Sequence, residues 1–277
     1  MRKAKLKLSE RILRALTWAA AFLTASVLVF IVGFIFIKGL PYLKPSLFAW
    51  NYNSENVSLM PALISTVYMT FLSLLAAVPL GVFSAIFLTE YSKRGNKFVA
   101  LVRVTAETLS GIPSIVYGLF GMLFFVNFLK WRYSVLAGAF TLSIMILPLI
   151  LRSTEEAIIA VPDNLREGAF GLGAGRLRTV FKIVLPSAAP GIFAGIILAI
   201  GRIAGETAAL IYTAGTVAQF SVNPMESART LSVHMYALSN EGLHTGEGYA
   251  TAIVLLLLVI LINAASAWAA KRIGVKK

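Results

Sequence analysis

The sequence predicts an all-α integral membrane protein with six transmembrane helices and both termini on the cytoplasmic side. Three observations predict it. Apolar residues fill 58% of the 277 positions and charged residues only 13%, against about 25% charged in a soluble domain. The apolar residues gather into six runs long enough to span a bilayer, for which about 20 residues suffice. The basic residues between those runs fall mostly on one side. Mean hydropathy is +0.82. Cysteine is absent, so there is no disulfide framework and no thiolate metal site.

Residues 1–15 form a basic tail with six Lys/Arg. The first apolar run, 16–40, has 25 residues. It outlasts a signal-peptide core of about 7–15 residues and reads as a retained helix. Residues 41–59 make an external loop whose Tyr42, Trp50 and Tyr52 suit a membrane interface. The second span, 61–90, contains Pro79 and Gly81 as a kink. A short basic turn, 91–97, leads to the third span, 98–129, broken at Gly111-Ile112-Pro113-Ser114. The fourth runs over about 133–151 and the fifth over 187–212. A polar loop, 222–246, is expected to hold a short helix over 227–238. The sixth span is 249–270, and 271–277 is a second basic tail. Residues 60–270 thus form one membrane domain of five helices, with 16–59 as an added helix and loop.

Orientation follows from charge. With both termini, the 91–97 turn and the polar stretch from Arg152 through the 161–186 loop on one side, that side receives 18 of the 25 Lys/Arg. The positive-inside rule makes it the cytoplasm. The net charge of +13 therefore reflects membrane topology, and no nucleic-acid partner is expected.

The 161–186 loop is the longest polar interruption between spans. Pro162 suits a first helical turn, and Asp163 and Glu167 favour a helix N-terminus. Leu165, Ala169 and Leu172 recur at helical spacing. Gly171, Gly173 and Gly175 then end a short amphipathic helix. A second helix is expected from about Leu177 through Pro186. Glu167, Gly168, Ala169, Gly173, Ile183, Leu185 and Pro186 stand in the register E-A-A-x3-G-x9-I-x-L-P. This resembles the EAA loop of ABC importer permeases, with Gly168 in place of the usual second-position alanine. The resemblance implies the type I (MetI-like) permease fold. It also implies that Arg166, Glu167, Gly168, Ala169, Leu172 and Gly173 couple to a cytoplasmic ATPase dimer.

Two spans carry ionisable residues, which are costly at membrane depth and face a cavity or partner. In the fifth, Gly195, Ala199, Arg202, Glu206, Ala209 and Thr213 recur at helical steps and share one face. The pairs Gly191/Gly195 and Gly201/Gly205 permit close helix approach. Arg202 and Glu206, four apart, read either as a substrate site with Thr207 or as an internal ion pair. In the third, Arg103 and Glu107 repeat that spacing, with Ser110 and Ser114 leading to the break. Arg103 is close enough to the cytoplasmic end to snorkel. Guanidinium groups recognise oxyanions, and a carboxylate that accepts the proton of hydrogen phosphate would repel sulfate.

Gly201-Arg202-Ile203-Ala204-Gly205-Glu206-Thr207-Ala208 and Gly111-Ile112-Pro113-Ser114-Ile115-Val116-Tyr117-Gly118 resemble segments of phosphate importer permeases. The likeness is to the PstA subunit first, with PstC sharing much of the pattern. It implies phosphate as substrate and three partners: a PstC-like permease, a PstB-like ATPase dimer and an external PstS-like binding protein. No P-loop occurs, so ATP and its magnesium are expected on the partner ATPase and no cofactor on this chain. Another oxyanion, or an ion-coupled secondary transporter with broken helices, are the rival readings. An enzyme is disfavoured, because the spans contain neither His nor Cys.

Overall fold

The computed structural model describes residues 8–93 and 95–274. The predicted basic positions 1–7, Arg94 and 275–277 lie outside the described residues. Those described form helices and turns, without a strand. In chain order the helices are α1 (Leu8–Gly39), α2 (Met60–Ile86), α3 (Lys97–Ser110), α4 (Ser114–Gly121) and α5 (Val135–Ile159). There follow α6 (Asp163–Gly171), α7 (Arg176–Thr179), α8 (Leu185–Ala204), α9 (Ala208–Ile211), α10 (Leu231–Glu241) and α11 (Thr245–Gly274). Wider π-type turns prolong α2 to Tyr91 and α4 to Phe128, and join α7 to α8. Among the described residues five helical runs are long and apolar enough to cross a bilayer, six if the bent pair α3–α4 counts as one.

Helix α5 is the centre of the bundle. Two thirds of its apolar window is buried inside the protein, whereas α1 buries none of its own. The most extensive contacts join α2 to α5, then α5 to α8 and α8 to α11, while α1 leans on α11. Lipid is as apolar as leucine, so helices associate through close packing rather than hydrophobic exclusion. The buried face of α2 shows this in sequence: Ala62, Thr66, Thr70, Ser73, Ala77, Gly81 and Ala85 are small and spaced by three or four. Their hydroxyls bond back to carbonyls four residues earlier, as in Thr70 Oγ1 to Thr66 O at 2.7 Å. One hydroxyl bridges the helices, Ser143 Oγ of α5 donating to Ser73 O at 3.0 Å.

The third predicted span is not a straight crossing. Helices α3 and α4 meet at 102°. Pro113 supplies no N–H and disfavours a helical Ile112, so the backbone turns. The carbonyl freed at Leu109 accepts the Tyr117 hydroxyl at 2.7 Å, closing the elbow. The fourth span is longer than expected, continuing through Arg152, Glu155 and Glu156 to Ile159. The fifth is shifted: α8 ends at Ala204, and α9 is a separate turn of helix. Of the two glycine pairs, only the first brings helices together. An added Cβ at Gly191 or Gly195 would collide with Ala157 or Ser153 of α5, whereas Gly201 meets nothing. The expected helix near 227–238 is α10, displaced to Leu231–Glu241. Beneath it the 41–59 loop is packed rather than loose, with Leu47, Val57 and Leu59 sharing a core with Leu231 and Leu238.

The elbow depends on one close approach, since a Cβ on Gly118 of α4 would lie 2.8 Å from the Ala209 backbone of α9. Overpacking of this kind costs about 1–3 kcal/mol. Gly118→Ala is therefore expected to lower the thermal stability of the detergent-solubilised chain by that amount, and Gly201→Ala to leave it unchanged.

Candidate functional site

The chain gathers its polar groups at three places: the loop after α5, the α3–α5 contact and the α8–α9 elbow. In the loop, α6 starts at Asp163, one residue after Pro162, and ends at Gly171. Leu172 N–H, Gly173 N–H and Ala174 N–H close the end, donating to Gly168 O, Phe170 O and Ala169 O at 3.1, 2.9 and 3.0 Å. This is the glycine-terminated stop in which one residue is left-handed. That residue is Gly173, with φ +80°; Gly171 is helical and Gly175 extended.

Arg166 is turned inward. Its Nη2 and Nε donate to Glu90 Oε1 at 2.8 and 3.1 Å. Nη2 also reaches Ile158 O at 2.9 Å, and Nη1 reaches Val161 O at 2.7 Å and Asp163 Oδ1 at 3.1 Å. The Arg166 and Glu90 side chains are only 15% and 11% exposed. The guanidinium thus pins α6 to the ends of α2 and α5. Ala169 is buried beneath it, while Glu167, Gly168 and Phe170 are exposed and Leu172 is 90% exposed. An apolar side chain held out so fully from an ordered polar loop offers a partner something to bury.

At the second place the expected Arg103–Glu107 proximity is replaced by contacts to α5. Arg103 Nε donates to Glu155 Oε1 at 2.6 Å, and the same two side chains form an ion pair. Glu107 instead faces Arg152 at 3.6 Å, with both side chains more than half exposed. Arg152 in turn pairs with Glu156 at 3.2 Å. Together they line a cavity of about 290 Å³. Sequence reasoning missed Arg152, Glu155 and Glu156 because the fourth span was closed at residue 151. Their helical spacing against Ile158 and Ile159 was the available signal. Ser110 Oγ bonds back to Glu107 O at 2.7 Å, and Ser114 opens α4.

The third place corrects the shared face expected of the fifth span. Gly205 caps α8, so Glu206 no longer follows Arg202 on one helix. No ion pair or hydrogen bond joins the two. Glu206 is 8% exposed, and its Oε1 accepts from Ala209 N at 3.1 Å, capping α9. Its carbonyl accepts from Ser232 Oγ of α10. Thr207 O accepts the Leu210 and Ile211 N–H groups at 3.2 and 3.1 Å. Arg202 stands alone in the last turn of α8, half-buried and without an acceptor. The two elbows meet where Gly118 of α4 packs on the Ala209 backbone of α9, and Arg202, in the turn just before Gly205, makes no ion pair with Glu107.

Near α10 a separate cluster stabilises the loop layer. Arg229, 5% exposed, stacks over the Tyr52 ring at 4.6 Å. Tyr52, half-buried, meets His234 edge-on at 6.1 Å. Burial pushes His234 down to about 3, with the Arg229 charge adding to the effect and the Val57 backbone opposing it. Among the described residues no group of acids and histidines is placed to hold a metal.

Comparison with known proteins agrees with the fold. Residues 77–275 match the model of the family described as binding-protein-dependent transport system inner membrane component, and the chain belongs to that family. It is 34% identical over 280 residues to the probable ABC transporter permease protein YqgI of Bacillus subtilis (strain 168), covering 95% of each chain. It is 33% identical to the phosphate transport system permease protein PstA of Pasteurella multocida (strain Pm70), covering 93% of this chain and 92% of the relative. In fold it resembles the MetNI methionine ABC transporter in inward-facing conformations, with TM-score 0.60 at 20% identity, over 78% of this chain and 94% of that one. The chain is thus an inner-membrane ABC importer permease of the type I fold. It is not itself the catalyst, and ATP hydrolysis falls to separate ATPase subunits.

Two outcomes follow from this geometry. Gly168 has open space where a Cβ would go, so Gly168→Ala is expected to raise loop-helix stability by about 1 kcal/mol without loss of ATPase binding, read by co-purification. His234 takes up a proton near 6.5 when unfolded but only near 3 when folded, so stability is lost as pH falls below 6.5. Between pH 7.5 and 5 the loss from this group is expected to be about 2 kcal/mol, and thermal unfolding of His234→Phe should lack that part of the pH slope.

Proposed function

We propose that this chain forms half of the membrane path of an ATP-driven importer of inorganic phosphate, with Arg202 as the group that accepts the anion. The observation that carries this is the unpaired, half-buried Arg202 guanidinium. A charge in a membrane helix normally faces a partner or a water-filled path, and Arg202 has no protein acceptor. A guanidinium binds oxyanions through forked, charge-assisted hydrogen bonds. Relatives named for phosphate transport, 33% identical over nearly the whole chain, supply the substrate class.

Glu206 serves the reading differently from the expectation. As a buried cap of α9 it sets the elbow that presents Arg202. Glu107, 71% exposed beside Arg152, is the carboxylate open to a passing anion and the one suited to accept the proton of hydrogen phosphate. Thr207, Ser110 and Ser114 add hydroxyls along the same two elbows. Arg103 contributes by holding α3 to α5.

Coupling runs through α6. Glu167 and Leu172 project toward an ATPase groove, and Arg166 ties the same helix to α2 and α5. A pull on α6 then moves α2, α5 and α8 together and changes the opening at Arg202. In this reading the energy source is a PstB-like ATPase dimer that binds ATP and magnesium. A PstC-like permease completes the path, a PstS-like protein delivers phosphate from outside, and both termini face the cytoplasm.

The test is ATP-dependent uptake of labelled phosphate by the co-expressed complex in proteoliposomes, supplied with its binding protein. Arg202→Ala is expected to assemble and to lose uptake by roughly tenfold or more, a charged hydrogen bond being worth about 1.5–3 kcal/mol. Glu167→Lys should weaken retention of the ATPase. Undiminished phosphate uptake by the Arg202→Ala complex would remove the anion assignment, and uptake of molybdate or sulfate in place of phosphate would replace the substrate.

A further inference from the structure

A cavity lies away from Arg202, between the end of α2, the start of α3 and α6. It has a volume of about 880 Å³. Its walls carry five cations and two acids. Both acids, Glu90 and Asp163, are already held by Arg166, and Arg103 is held by Glu155 outside the cavity. Lys93, Lys97 and Arg176 are left over, with no carboxylate partner among the described residues. Arg176 is not loose: its guanidinium lies 5.4 Å from the centre of the Tyr91 ring, an arrangement that holds a cation at a fixed place. The surplus charge therefore has a fixed anchor and an uncompensated sign.

The same cavity has an apolar flank. Ile159 in its wall is 62% exposed, and the neighbouring α3 residues Phe98 and Leu101 are 60% and 62% exposed. These belong to helical runs long and apolar enough to cross a bilayer. A soluble anion would be served by the cations alone. A molecule with an anionic phosphate head and an apolar tail is served by both features, and basic pockets between membrane helices on the positive side suit such heads.

We propose that this cavity is a binding site for the phosphodiester headgroup of an anionic phospholipid from the leaflet on the α6 side. Lys93, Lys97 and Arg176 contact the phosphate, and the acyl chains lie along Phe98 and Leu101. Asp163, Arg166 and Phe170 of the cavity wall belong to the α6 segment, so an occupied site braces the loop that meets the ATPase. The site is independent of which substrate passes Arg202.

The experiment is native mass spectrometry of the full chain, delipidated and then exposed to equal amounts of phosphatidylglycerol and phosphatidylcholine. The wild type is expected to retain phosphatidylglycerol preferentially. Lys93→Gln with Lys97→Gln should lower that preference by roughly fivefold for each cation removed, and adding Arg176→Gln should abolish it. The lysine pair is exposed and makes no ion pair, so its loss keeps the fold, which the melting temperature checks. Arg178→Gln with Lys182→Gln removes equal charge from the same loop outside the cavity and should change nothing. An equal loss in that control would reduce the effect to general surface charge. Displacement of the lipid by millimolar inorganic phosphate would assign the site to a free oxyanion. Either result overturns the proposal.

Discussion

In a bilayer, a polar group that leaves water must find its partner inside the protein. That constraint organises both elbows and the α3–α5 contact. Where Pro113 breaks a helix, the Tyr117 hydroxyl takes up the Leu109 carbonyl. Where Gly205 ends α8, the Glu206 carboxylate takes up the Ala209 N–H. Where Arg103 enters the bundle, Glu155 meets it from α5. Each broken element is repaired locally, so the bundle can keep two sharp elbows without exposing unsatisfied backbone to lipid. Two guanidiniums depart from that rule: Arg229, which is buried against the Tyr52 ring with Nε and Nη2 unmatched, and Arg202, which stands half-buried in the last turn of α8 with no acceptor.

The features set by composition and local chemistry were legible in the sequence. The second, third and sixth spans are legible within about a turn at both ends, and the first, fourth and fifth at one end each, because lipid demands long apolar runs whatever they pack against. The break at Gly111-Ile112-Pro113-Ser114 was legible for the same reason, since proline acts through covalent geometry alone. Its 102° angle was not, because the angle depends on the Gly118–Ala209 contact across the fold. The shared face of Arg202 and Glu206 failed for a related cause. Helical periodicity continues on paper through residue 206, and only the closure of the Glu206 carboxylate onto Ala209 shows that the helix has stopped.

The ion pairs were the least legible features. Four-residue spacing made Arg103–Glu107 and Arg202–Glu206 look like partners, yet neither pair forms. Near the membrane surface a long side chain can reach several helices, and the partner that wins is the one with the less exposed carboxylate. Glu155, 10% exposed, takes Arg103, while Glu107, 71% exposed, is left to a looser contact with Arg152. Arg166 follows the same logic. The loop motif implies a place for it on a coupling surface, whereas the structure turns it toward Glu90, a nearly buried carboxylate 76 residues earlier in the chain, which no local pattern reveals.

In the proposed coupling to an ATPase, that long-range pair changes how force would leave the loop. A helix attached only through its flanking chain would pass force to α5 and α7 and little else. With Arg166 bonded to Glu90 and to the Ile158 and Val161 carbonyls, α6 is joined to the ends of α2 and α5 at once. Those two helices share the largest contact in the bundle, built from small side chains that leave little room for one to slide on the other. Helix α8 follows, because Gly191 and Gly195 seat it directly on Ala157 and Ser153 of α5. A displacement of the exposed loop is thus carried as rigid-body motion along α8 to Arg202 in its last turn. The weak points of such a lever are the elbows beside Arg202, where α3 meets α4 and α8 meets α9, and those are where an opening and closing path would bend.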